Sequence, residues 1–182
     1  MLTPTTLLLL LFQAAENNEI GGRTAIQKMM YFALSRMGKT YGFDYIPHYY
    51  GPYCPQLSTL MEYLVALGIL EERAITTMTG RKLYSYYLTE EGKRFSSKLP
   101  KKYKKTFATI KKIADSIKDV RGDRIEIISC AAKVHYLLYS NKSKQLTIGT
   151  AVKGAESLGW KLTKDQIMSS ATLLQEIYPS HR

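Results

Sequence analysis

Cysteine, histidine, acidic charge and long apolar runs are all scarce in this sequence, and each scarcity removes a class of protein. Two cysteines in 182 residues cannot build a disulfide scaffold. Cys54 and Cys130 sit in unrelated patterns and read as reduced thiols, which predicts a cytoplasmic protein. The three histidines, His48, His135 and His181, come with no HExxH and no Cys-x-x-Cys pair, so zinc has no ligand set. No Walker loop is present. Neither a metal nor a cofactor is expected. The apolar run Leu7 to Phe12 is too short for a secretory core or a membrane span, and no basic segment precedes it. It predicts a first helix buried on most sides, N-capped by Thr5 or Thr6, and no membrane partner.

Against 15 Asp and Glu stand 26 Lys and Arg, a net charge of +11. The excess is uneven. Residues 1–99 carry net +2 and residues 100–182 carry net +9. Such a balance favours an anionic partner, double-stranded DNA first, though a basic solvated surface is the plain alternative.

Apolar spacing predicts a helix through RTAIQKMMYFALSRM, with Ile26, Met29, Met30, Ala33 and Met37 on one face. Gly21 and Gly22 break the chain before it. FDYIPHYY suggests a short extended segment at 43–47, which Pro47 keeps out of a central strand. Pro55 suits the first turn of the next helix, whose buried side is Leu57, Leu60, Met61 and Leu64, and Gly68 suits its end. ILEERAI and KLYSYYL are two strands around a loop containing Gly80. Thr89 caps a helix that has Glu90 and Glu91 in its first turn.

The second half reads as helical throughout, with helices over about 101–118, 123–140, 147–158 and 164–178. Over 101–118, Tyr103, Phe107, Ile110, Ala114 and Ile117 form an apolar stripe. Lys101, Lys104, Lys105, Lys111, Lys112 and Lys118 gather opposite, with Asp115 placed to pair with Lys111. Thr163 and Gln166 form a capping box. The wide apolar face of 123–140 serves the core or a partner, a homodimer included. Pro100 is the best boundary, giving segments 1–99 and 100–182. The expected class is mainly α with a small β-hairpin wing (α+β): a winged helix-turn-helix followed by a C-terminal helical region.

The first half carries a family resemblance. YLVALGILEE (63–72) resembles the end of a winged-helix third helix entering its wing, and YYLTEEGKRF (86–95) resembles the exit from the wing. TAIQKMMYFA followed by YYGPYCPQLSTLMEYLVALGILEE resembles the YwgA-like proteins and the related SocA-like, or Panacea, antitoxin domains. In those families a Lys-Leu-Gln-Lys-Leu-Leu-Tyr helix precedes a Gly-Pro-Tyr-Ser-Pro-x-Leu turn. Here the helix motif is Ala25-Ile26-Gln27-Lys28-Met29-Met30-Tyr31, so its first lysine is missing, and Cys54 replaces the serine. The resemblance implies a winged-helix fold, regulatory or toxin-neutralising roles, and no enzyme activity.

The turn itself poses a choice between a catalytic loop and a rigid hinge. A Cys–His nucleophile needs both side chains within hydrogen-bond reach and a third group to orient them. His48 has no such orienting group in the sequence, and His135 shares an apolar helix face, the usual place of a satisfied semi-buried histidine. The hinge reading is preferred: Gly51 supplies backbone freedom, Pro52 and Pro55 fix φ, and Tyr49, Tyr50 and Tyr53 pack with their hydroxyls wet. The first-turn N–H groups of the following helix offer themselves to a DNA phosphate, or the loop is a structural turn only.

In a winged helix, base readout falls to the third helix. Its exposed face offers Gln56, Ser58, Thr59, Glu62 and Tyr63, with no Lys or Arg among them. Phosphate contacts are expected from Arg73, Arg81 and Lys82 in the wing, from Arg23 and Lys28 on the second helix, and from Lys104, Lys105, Lys111 and Lys112. The leading expectation is a DNA-binding transcriptional regulator. The alternative is a protein-interaction module, antitoxin-like or adaptor-like, without specific DNA readout.

Overall fold

The computed structural model describes residues 1–76, 80, 82–120, 124–140 and 147–179. Helix α1 (Pro4–Ala14) leads through a 3-10 turn (Glu16–Asn18) into strand β1 (Glu19–Gly21) and helix α2 (Arg23–Met37). The hinge loop follows, then α3 (Pro55–Ala66), strands β2 (Leu70–Thr76) and β3 (Lys82–Leu88), and α4 (Glu90–Ser96). Short α5 (Leu99–Lys102) precedes α6 (Lys104–Lys118), α7 (Arg124–Ser140), α8 (Ile148–Ser157) and α9 (Lys164–Ile177). The molecule is mainly helical with a small β wing, as the sequence predicts.

The wing is one strand richer than expected. β1 pairs antiparallel with β3 through Glu19–Tyr87, Ile20–Tyr86 and Gly21–Ser85, giving the order β1-β3-β2. Three residues are too few to show alternation in sequence. The extended segment at 43–47 reduces to one bridge between Ile46 and Tyr53.

Helix starts follow local chemistry. Pro4 stands at the first turn of α1, where it lacks only an N–H that no carbonyl needs, and Thr3 Oγ1 accepts from the Thr6 amide. The cap is therefore Thr3, not Thr5 or Thr6. Thr89 caps α4 through the Gly92 amide at 3.0 Å, and Thr163 and Gln166 form the expected box at α9. Gly68 follows the end of α3 at φ +67°, a left-handed value that glycine adopts without penalty. The helix expected over 101–118 breaks at Tyr103, whose non-helical backbone separates α5 from α6.

α2 departs most from its pattern. One-faced burial was expected, yet every residue from Ala25 to Leu34 is buried. The reason is topological: α6 and α7 of the second half pack on α2, and α6 also packs on α1. One buried cluster runs from Leu7 to Ile177, so the two segments share a core.

Candidate functional site

The hinge loop is clamped onto α2 by polar side chains that the helix buries. Gln27, 3% exposed, donates from Nε2 to the Cys54 carbonyl (3.0 Å) and to Ser58 Oγ (3.0 Å). Its Oε1 accepts from the Cys54 amide at 2.9 Å. One side chain thus supplies the acceptor for the Cys54 amide and a second donor to its carbonyl, which also accepts from the Ser58 amide at 3.4 Å. Lys28 Nζ donates to the Pro52 carbonyl at 2.7 Å. Opposite, the Trp160 indole N–H donates to the His48 carbonyl at 2.7 Å. Gly51 lies at φ +92°, a backbone conformation that favours glycine, and a Cβ there would stand a tight 3.1 Å from Lys133 Cγ. Pro55 stands at the first turn of α3. The hinge therefore sets the position of α3. Of its tyrosines, Tyr49 and Tyr50 are exposed, while Tyr53 is half-buried and its hydroxyl donates to Ser58 Oγ at 3.0 Å rather than standing in water.

This geometry corrects the expectation for Lys28. At 2% exposure it cannot reach a DNA phosphate. No carboxylate pairs with it among the described residues, and burial, with repulsion from Lys133, pulls its pKa down to about 7. A lysine on a helix is normally solvated. Here the hinge loop folds over it.

The other predicted contacts divide into paired and free. Arg23 is bound by Glu72 (2.8 Å) and Tyr86, which hold its pKa up, and it stacks on Tyr84. Arg73 makes a two-pronged pair with Glu71 (2.7 and 3.1 Å) over the Tyr87 ring. The wing's Glu71 and Glu72 thus hold Arg73 of β2 and Arg23 of α2. Lys82 is exposed, and Arg81 lies outside the described residues. On α3, Gln56 and Thr59 are exposed, but Gln56 Oε1 accepts from Cys54 Sγ at 3.1 Å and Ser58 is occupied by Gln27 and Tyr53. The outward side of α3 presents Glu62, Tyr63 and Leu67, with no cation.

The lysines of α5 and α6 stand together on an open surface. Lys101, Lys102, Lys104, Lys105, Lys111, Lys112 and Lys118 are all exposed, and Lys98 joins them just before α5. Lys111 pairs with Asp115 as expected, and Lys118 pairs with Glu16 at 3.0 Å. Lys98, Lys101, Lys102, Lys104, Lys105 and Lys112 have no ion-pair partner among the described residues. Lys98 and Lys102, at the two ends of the short α5, are further exposed lysines next to this face in sequence.

Cys54 and Cys130 are buried, and burial pushes both thiols up, which disfavours the thiolate a nucleophile needs. His135 is the satisfied core histidine foreseen: Tyr31 Oη lies 2.9 Å from Nδ1, its ring stacks on Tyr178 at 4.6 Å, and burial lowers its pKa to about 4. His181 lies outside the described residues. Among the described residues no group of His, Cys, Asp and Glu could hold a metal, and no helix is long and apolar enough to cross a membrane.

No family model matches the chain. A stretch of 81 residues is 38% identical to the uncharacterised protein YwgA of Bacillus subtilis strain 168. The chain is related to YwgA. The match takes in 44% of this chain and spans about half the length of that relative (48%).

Proposed function

We propose that this protein is a winged-helix DNA-binding regulator that grips the phosphate backbone through the lysine face of α5 and α6. The observation that supports the reading is the set of exposed lysines without ion-pair partners among the described residues, Lys101, Lys102, Lys104, Lys105 and Lys112. At ~1.5 Å per residue, the 15 residues of α6 extend the face over about 22 Å, enough to follow several phosphates. Lys82 in the wing is a second, smaller anchor. Sequence readout by α3 is weak in this reading, because Gln56 and Thr59 are the exposed polar groups and Glu62 repels phosphate. Neutralising Lys104, Lys105 and Lys112 to Gln should weaken binding to a labelled duplex by about 100-fold at low salt. Unchanged affinity would remove the α6 face from the mechanism.

One observation favours a second reading, a protein-interaction module on the same frame. The outward face of α3 carries Tyr63 at 59% and Leu67 at 54% exposure beside Glu62, and no cation. That surface suits a protein better than DNA. The reading predicts that Tyr63→Ala abolishes recovery of a stable partner when the genomic neighbours are co-expressed. Recovery of no partner by the wild type would dismiss it.

A further inference from the structure

The hinge loop, α7 and the turn between α8 and α9 enclose a cavity of about 540 Å³ that no DNA-binding role uses. Its size is that of a small-molecule site. Two features of its lining point to an anion. Lys133 is half-buried and has no carboxylate partner among the described residues; it lies 5.8 Å from the centre of the Trp160 ring. Ser129, 5% exposed, has a buried hydroxyl with no hydrogen-bond partner among the described residues. Lys161 lines the cavity as a second, exposed cation. Lys28 lies close enough to feel Lys133, so a buried lysine and a half-buried one stand near each other. The carboxylate in the lining, Glu126, is held by Gln166 at 2.6 Å.

The mouth has a different chemistry. Tyr49 and Tyr50 line it with rings 4.8 Å apart, edge to face, and 72% and 52% exposed. Neither is needed to fill the core. Two exposed rings beside a half-buried and an exposed cation suit a ligand with a flat apolar part and a charged end.

We propose that this cavity binds a small organic anion that carries a planar ring, its phosphate or carboxylate meeting Lys133, Lys161 and the Ser129 hydroxyl, its ring lying on Tyr49 and Tyr50. The anion supplies the counter-charge that Lys133 lacks and an acceptor for Ser129. Because the cavity is roofed by the hinge that positions α3, occupancy stiffens that hinge.

Trp160 is the one tryptophan of the chain and it lines the cavity, so its indole N–H resonance is a built-in reporter. The full chain, ¹⁵N-labelled, is titrated with AMP, GMP and benzoate at ionic strength held constant with sodium chloride. Inorganic phosphate and adenosine are the ringless and uncharged controls. A saturable shift of the indole resonance is expected with at least one ringed anion, at least about tenfold tighter than with either control. Lys133→Met should weaken it by about tenfold or more, and Lys161→Gln, at an exposed position that folding does not need, by a few-fold. Lys112→Gln, outside the cavity, should leave it unchanged. No saturable shift with any ringed anion, equal binding of phosphate or adenosine, or unaltered binding in both cavity variants would overturn the proposal. None of these results bears on DNA binding, since the α6 lysines do not line the cavity.

Discussion

Replacing Lys28 by Met should make the protein more stable near neutral pH, and the gain should vanish as the pH rises. The side chain is 2% exposed, its ammonium has one hydrogen bond, to Pro52, and no carboxylate partner among the described residues. Burial lowers its pKa from 10.5 to about 7. At ~1.4 kcal/mol per pH unit, that gap corresponds to about 5 kcal/mol of destabilisation by the protonated lysine below pH 7. Methionine removes this cost but leaves the Pro52 carbonyl without its donor, at ~1–3 kcal/mol. The variant should therefore be more stable by about 2–4 kcal/mol at pH 6.5. Between pH 7 and 10.5 the unfolded lysine keeps its proton while the folded one has lost it. Wild-type stability thus rises with pH relative to the variant, by about 2 kcal/mol from pH 7 to 9. Urea unfolding of both proteins at half-unit pH steps measures the difference and cancels every group they share. A difference that is flat in pH, or a variant less stable than wild type at pH 6.5, would refute the reasoning.

His135 works in the opposite pH range. Its pKa is depressed from 6.5 to about 4, so its contribution is intact above pH 6.5 and is lost as the pH falls towards 4. His135→Phe should remove about 3 kcal/mol of the acid-induced fall in stability, read from the same unfolding series. Gln27→Leu strands the Cys54 amide in a buried hinge and removes one of the two donors to its carbonyl, and should cost about 1–3 kcal/mol, measured by urea unfolding. Gly92→Ala would set a Cβ 2.2 Å from the Ile69 carbonyl oxygen; the backbone shift needed should cost about 1–3 kcal/mol and lower the melting temperature by several degrees.

The elements were legible where local chemistry decides them. Leu7 to Phe12 announced a buried helix, Thr89 and Thr163 marked helix starts, and the two wing strands were plain. β1 was hidden because its three residues pair only once β3 is in place. Thr3 was overlooked as a cap because its effect is seen through Pro4. The lysine face on α6 followed from helical spacing, and the break at Tyr103 that makes α5 a separate helix did not. The hinge loop was legible from Gly51, Pro52 and Pro55, but the polar clamp that holds it was not. Lys28 and Gln27 sit in a helical pattern that assigns them to solvent, and their burial comes from a loop some 25 residues on and from α7. The pairing of Arg23 with Glu72 crosses 49 residues, which no local pattern reports.

The most direct test of the central claim is the salt dependence of binding to a labelled duplex. If about four lysines of the α5–α6 face displace counterions, the log–log slope should be about −4, and affinity should fall about 100-fold between 50 and 200 mM salt. Lys104→Gln and Lys112→Gln together should flatten that slope by about two. A wild-type slope near zero, or no binding at low salt, would contradict the account and leave the exposed lysines a solvated face.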